Sequence, residues 1–154
     1  MTLLELIHTI EVVASHQPSI KMIVENDVFR LNNKADARYG VFAFVQGQHS
    51  SSVNSSVISY SFTFFYVDRL KNDRSNQIEI QSVGVQTLDN IIRALDERGI
   101  YSEREYSFQV FNQRFLDECA GVFCNVTLSI PVGSLCPESF ADNDDDFNDD
   151  FMIY

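Results

Sequence analysis

No stretch of the 154 residues approaches 18 consecutive apolar positions, so no helical membrane span is expected. The amino terminus, Met1-Thr-Leu-Leu-Glu-Leu-Ile7, lacks the basic region and small-residue cleavage site of a secretory leader, which predicts assembly in a cytoplasm. Basic residues are scarce: 11 Lys and Arg stand against 22 Asp and Glu. Outside the charged turn at Asp68–Ser75 they form no cluster, and this excludes a phosphate-neutralising surface for tight DNA binding. There are three cysteines. Cys119 and Cys124 are followed by a distant Cys136, while His8, His16 and His49 lie far away in sequence. Neither a zinc site nor a disulfide framework is expected from that spacing. Also missing are a Gly-rich phosphate loop, a nucleophile elbow and a His beside a nucleophile, so no enzyme is predicted and no cofactor is implied. Asp68 and Asp117, each ending an apolar run, are the only hint of paired carboxylates, and they read better as solvated or Arg-paired strand ends.

Apolar residues make up 45% of the chain and include 13 Phe, enough for a packed core in one domain of this length. The core is expected around residues 58–99. Ile58, Tyr60, Phe62, Phe64 and Tyr66 alternate with Ser59, Ser61, Thr63, Phe65 and Val67. Period-two geometry puts the first set on one buried face of a strand. The second set starts polar and ends apolar, so that face should be wet near Ser59 and covered near Val67. After a charged turn, Asp68 to Ser75, the spacing of Ile78, Gln81, Val85, Leu88, Ile92 and Leu95, widened by Ile91, predicts a helix over 76–98. Asn76 with Glu79 is its expected cap, and Arg98-Gly99 its stop. The β-branched residues at 78, 80, 83 and 85, with Gly84, leave 77–83 open to an extended alternative.

Residues 2–16 read as a first helix, capped by Thr2 with Glu5 and ended before Pro18, with Leu3, Ile7, Ile10 and Ala14 as its stripe. Shorter strand signals occur around Ile20–Val24, Val41–Val45 and Tyr106–Val110, and a clear one at Val122–Ile130. The Ser-rich stretch 46–56 is expected to be a flexible hairpin tip. The predicted fold is α+β: a mainly antiparallel sheet of about four strands, packed with two helices. A single domain is expected over 1–136, followed by a flexible acidic C-terminal arm, 137–154.

That arm carries Glu138, Asp142, Asp144, Asp145, Asp146, Asp149 and Asp150; without them the body holds fifteen acidic against eleven basic groups, and its net charge changes from −11 to −4. Asp142, Asp144 and Asp146 have the opening spacing of a calcium loop. Phe147 stands where that loop needs glycine and no terminal glutamate follows, so no metal is assigned. Phe140, Phe147, Phe151, Met152, Ile153 and Tyr154 punctuate the acids, which a purely solubilising tail would not require. The arm is expected to order against a neighbouring subunit, with apolar groups in pockets and carboxylates on basic rims.

Two segments carry a resemblance. Tyr66-Val-Asp-Arg-Leu-Lys-Asn-Asp-Arg-Ser-Asn-Gln-Ile-Glu-Ile-Gln-Ser82 and Phe115-Leu-Asp-Glu-Cys-Ala-Gly-Val-Phe-Cys-Asn-Val-Thr-Leu-Ser-Ile130 resemble tail-completion, or tail-terminator, proteins of tailed bacteriophages infecting gut Bacteroidetes. The pattern is similar to that of ring proteins of the crAss-like phage neck and tail. The likeness spans roughly residues 3–132, and its motifs are structural, so no catalytic residue is carried over. It implies a structural virion protein: a homo-oligomeric ring, hexameric or dodecameric, beside the portal, neck and tail proteins. DNA would pass through the ring without sequence-specific binding, and no membrane is involved. The expected subunit-contact residues are Asp68, Arg69, Lys71 and Arg74 in the turn, and Phe140, Phe147, Phe151 and Tyr154 in the arm. The other function consistent with the composition is a small cytoplasmic adaptor or regulatory module that binds a basic partner through its acidic tail.

Overall fold

A computed structural model describes residues 1–26, 39–103, 105–112 and 119–132. The arm, with Phe140, Phe147, Phe151 and Tyr154, lies outside the described residues, as do Asp117 and Cys136. The order is α1 (Leu3–Ser15), β1 (Met22–Glu25), β2 (Val41–Gln46), β3 (Ser50–Ser51), β4 (Val57–Arg69), α2 (Gln77–Glu97), β5 (Tyr101–Ser102), β6 (Phe108–Asn112) and β7 (Cys119–Pro131). The fold is α+β, with a mostly antiparallel sheet and both helices contributing to the core on one of its faces.

The described sheet has seven strands rather than about four, in the path β1-β2-β4-β7-β5, with β3 also on β4 and β6 also on β7. β3 and β5 are two residues long and are too short to carry an alternation. They extend the tracks of β2 and β6 along β4 and β7. β3 also draws Ser50 and Ser51 of the expected flexible tip into the sheet. One pair departs from the antiparallel pattern: β1 pairs with β2 in parallel, Met22 opposite Val41. Residues 26–40 intervene, long enough for the crossover that parallel pairing needs.

The central pair is β4 with β7, antiparallel from Val57–Pro131 at one end to Arg69–Cys119 at the other. Tyr60, Phe62, Phe64 and Tyr66 face the helices together with Val122, Cys124, Val126 and Leu128, all buried. Phe42 meets Phe64 edge-on at 5.4 Å. Fully burying each such ring contributes about 1.5–3 kcal/mol, which is why this strand pair dominates the core. The opposite face changes character along its length, as expected. Near the Val57 end it carries Ser59–Ser129, Ser61–Thr127 and Thr63–Asn125 side-chain pairs. Toward Arg69, Val67 and Cys119 join Met22, Val24, Val41, Ala43 and Phe111 in a second apolar cluster.

α1 has the predicted capping box: the Thr2 hydroxyl accepts from Glu5 N–H and the Glu5 carboxylate from Thr2 N–H. Its stripe, however, includes a carboxyl group, Glu11, only 8% exposed. α2 is helical throughout 77–97, so the extended alternative for 77–83 falls. The inward face differs from the predicted stripe. Ile80, Gly84, Thr87, Leu88, Ile91, Ile92 and Leu95 are buried, whereas Ile78 is 78% exposed. Gly84 faces the sheet where a Cβ would meet Tyr66 and Val122 at 3.0 Å, so the residue that weakened the helix on propensity is what lets the backbone settle on β4 and β7. The helix stops as expected. Gly99 adopts φ +82°, its N–H donates to Asp96 C=O, and Ile100 N–H donates to Leu95 C=O, a Schellman closure that buries Ile100 beside Leu95. In β6, Val110 is exposed and Phe111 buried, so Val110 does not continue a buried face from Tyr106 and Phe108.

Candidate functional site

The turn between β4 and α2 is polar in sequence, yet it is a fixed structure. Asn76 holds it from inside: its Oδ1 accepts from Lys71 N–H at 2.9 Å, and its Nδ2 donates to Arg69 C=O at 3.1 Å. This replaces the expected side-chain cap, for Asn76 makes no capping bond to α2. Arg74 N–H donates to Lys71 C=O at 2.8 Å, and Arg74 takes φ +57°. Asp73 accepts from Ser75 N–H at 3.1 Å, and mainly through that bond its carboxyl lies below the ordinary range. Asp68 is occupied as well. It accepts from Arg69 N–H at 2.7 Å and from the Tyr66 hydroxyl at 3.4 Å.

The basic side chains are arranged differently. Arg69 lies 5.8 Å above the Tyr39 ring centroid, and Lys71 and Arg74 are exposed with no ion pair to any described residue. Beside them stands Ile78, in the first turn of α2. Gln81, one helical turn on, donates to Asn112 Oδ1 at 3.2 Å, and two residues before Asn112 is Val110, 57% exposed. Four of the predicted contact residues, Asp68, Arg69, Lys71 and Arg74, thus share one end of the molecule. They are joined there by Ile78, which the apolar stripe of the helix places inward, and by Val110.

A second polar surface escaped sequence reasoning. Asp89, Arg93, Glu103, Glu105, Tyr106, Ser107, Phe108 and Asn125 line an open cleft of about 740 Å³. Asp89 accepts from the Tyr106 hydroxyl at 2.5 Å and from Arg93 Nε at 2.7 Å. Burial raises the Asp89 carboxyl, but these two partners outweigh it and leave it below the usual range. Burial, then the bond to Asp89, pushes the Tyr106 phenol up to about 12. The arrangement holds an ionised carboxylate between a phenol and a guanidinium.

A third group sits at the opposite side of the sheet. Asn26 donates to Glu25 at 3.0 Å, Gln46 Nε2 to Asn26 Oδ1 at 3.3 Å, and His49 Nε2 stands 3.0 Å from Gln46 Oε1. Ser61 N–H donates to His49 Nδ1 at 3.3 Å. With Nδ1 accepting, Nε2 carries the proton and donates to Gln46. Glu25 also faces Glu11, whose carboxyl is pushed up to about 7, first by burial and then by that like charge. The pairing of β1 with β2 brings residues 25, 26 and 46 together, and no sequence signal marks it.

Cys119 and Cys124 are buried thiols outside any disulfide, and burial followed by Asp89 pushes Cys124 up to about 11. Among the described residues no set of three His, Cys, Asp or Glu side chains could hold a metal, and no helix is long and apolar enough to cross a membrane. No protein-family model matches the chain, and no curated protein matches it.

Proposed function

We propose that this chain is a structural virion protein, forming a homo-oligomeric ring in the neck or tail of a tailed bacteriophage that joins the portal vertex to the tail around the DNA channel. The observation that carries the reading is the turn Asp68–Ser75. It bears part of the resemblance to tail-completion proteins, and Asn76 and Asp73 hold its backbone while Lys71 and Arg74 point outward unpaired. A rigid projection with unspent charge suits a contact with a neighbouring subunit or an adjacent ring, since little conformational entropy is lost there on docking. The long β4–β7 pair under α2 serves as a stiff wedge. A mildly acidic body suits a channel wall that DNA passes without sticking. No catalytic step is part of this reading.

Mass photometry of the purified protein and its copy number in virions test the proposal together. A discrete ring and a fixed number of copies per particle are expected. A chain that is monomeric and absent from particles would overturn it. The acidic arm favours a second reading, a cytoplasmic adaptor that holds a basic partner. On that reading, deleting residues 137–154 abolishes partner binding at low salt and leaves no assembly defect.

A further inference from the structure

Among the described residues the cations outside ion pairs are Lys21, Arg69, Lys71, Arg74 and Arg98, and three of these five belong to a single turn. At the same end of the molecule two of the few large apolar side chains left in solvent are Ile78, three residues after the turn and 78% exposed, and Val110, 57% exposed and two residues before Asn112, the partner of Gln81. After Arg114 the chain contains no Lys or Arg at all, so residues 137–154, with seven carboxylates and six large apolar groups, cannot neutralise themselves. The two surfaces complement each other in charge and in apolar character.

Their positions favour contact between two chains over contact within one. β4 ends at the turn, and antiparallel β7 ends at Pro131 opposite Val57, thirteen strand residues away. At about 3.3 Å per residue the arm departs roughly 40 Å from the turn of its own subunit. To reach that turn in cis, a dozen residues would be spent as spacer, leaving Phe140 and the first carboxylates far short of it. In a head-to-tail neighbour the turn can stand beside the point of departure, and the whole arm can be used. Such a contact is heterologous: it closes a ring if the rotation closes.

We propose that the C-terminal arm of one copy docks on the Arg69–Ile78 end of the next, carboxylates over Lys71 and Arg74 and aromatic groups over Ile78 and Val110. This rests on the assembly reading above and names the surfaces that would carry it.

Charge exchange in full-length protein tests it. Lys71→Glu with Arg74→Glu, and separately Asp149→Lys with Asp150→Lys, each replace exposed or terminal charges, and each should weaken self-association at least about tenfold by mass photometry. Mixing the two variants should restore assembly, because a reversed turn can then meet the reversed positions 149 and 150 of another chain while each native turn meets a native arm. Added salt should weaken the wild type. Two results overturn the contact: reversed variants that assemble like wild type, or a mixture that assembles no better than its components. Circular dichroism of each variant shows whether a loss reflects misfolding. If one is misfolded, neutral Lys71→Gln with Arg74→Gln, or Asp149→Asn with Asp150→Asn, replaces it, and full assembly by a folded neutral variant also overturns the contact. A ring that survives in the folded variants removes the contact and leaves the ring. A contact that passes in a protein absent from virions removes the ring's location and leaves the contact.

Discussion

Gly84 on α2 stands against Tyr66 on β4 so closely that a Cβ added to the glycine would lie 3.0 Å from the tyrosine Cδ1. Val122 Cγ2 blocks the same space at 3.0 Å, and both neighbours are buried, Tyr66 at 2% and Val122 at 0% exposure. Helix propensity favours Ala over Gly by about 1 kcal/mol, but overpacking a rigid site costs about 1–3 kcal/mol. Packing wins at this crossing. Gly84→Ala should therefore destabilise the protein by about 1 kcal/mol, and Gly84→Val by about 3, as a shift in urea midpoint at constant m-value.

Glu11 gives stability a pH dependence of defined sign. In the folded chain its carboxyl holds its proton up to about 7, whereas the ordinary value is 4.5. Between those values the unfolded chain releases the proton and the folded chain retains it, so this group's contribution is complete below 4.5 and is lost as pH rises through 7. Above that, a charge sits in a nearly closed site facing Glu25. Glu11→Gln removes the charge and keeps the volume. At pH 8 it should be more stable than wild type by about 1–2 kcal/mol, and at pH 4.5 the advantage should vanish. Paired urea titrations at the two pH values measure the difference directly.

The parts of this fold that were legible in sequence are those in which one residue's environment repeats at a fixed period. The alternation from Ile58 to Val67 located β4, its buried face and the change of character on its other face. Thr2 with Glu5 and Arg98 with Gly99 marked helix ends, because capping is a local bond pattern. In α2 the stripe is legible from Leu88 to Leu95, all buried as the spacing predicts, but its first turns are not: Ile78 is exposed, and Gly84, which weighs against a helix on propensity, is where α2 packs on Tyr66. The parallel pairing of β1 with β2 joins segments separated by residues 26–40, and no local preference encodes it. The site divides the same way. Lys71 and Arg74 stood out as charges in a turn, but Ile78 and Val110 beside them, and the meeting of Glu11 with Glu25, depend on tertiary packing alone.

Asn76 should behave as a turn strut and not as a helix cap. Asn76→Ala removes the acceptor of Lys71 N–H and the donor to Arg69 C=O. Both groups are near solvent, so the cost should be about 1 kcal/mol. Asn76→Asp keeps the acceptor and loses the donor, and should lie between the two. Hydrogen exchange separates the roles. With a strut, the Lys71 amide loses protection in the Ala variant while the first amides of α2 are unchanged; a cap would produce the reverse.

The Tyr106–Asp89 bond ties the outer part of the sheet to α2 across the open cleft. Its acceptor is a carboxylate that Tyr106 and Arg93 hold below the ordinary value of 3.8 despite burial. A depressed carboxyl contributes stability that is complete above the unfolded value and is lost as pH falls through the folded one. Tyr106→Phe deletes the hydroxyl alone and keeps the edge-on packing of the ring on Phe108, 5.7 Å between centroids. Near pH 7 the substitution should cost about 1–2 kcal/mol, the range for a hydrogen bond to a charged group that remains partly solvated. Below 3.8 the gap from wild type should narrow, because the carboxyl that the hydroxyl serves becomes neutral. Urea midpoints of the two proteins followed from pH 7 downward test this, and a gap that stays constant would place the role of the hydroxyl elsewhere than on Asp89.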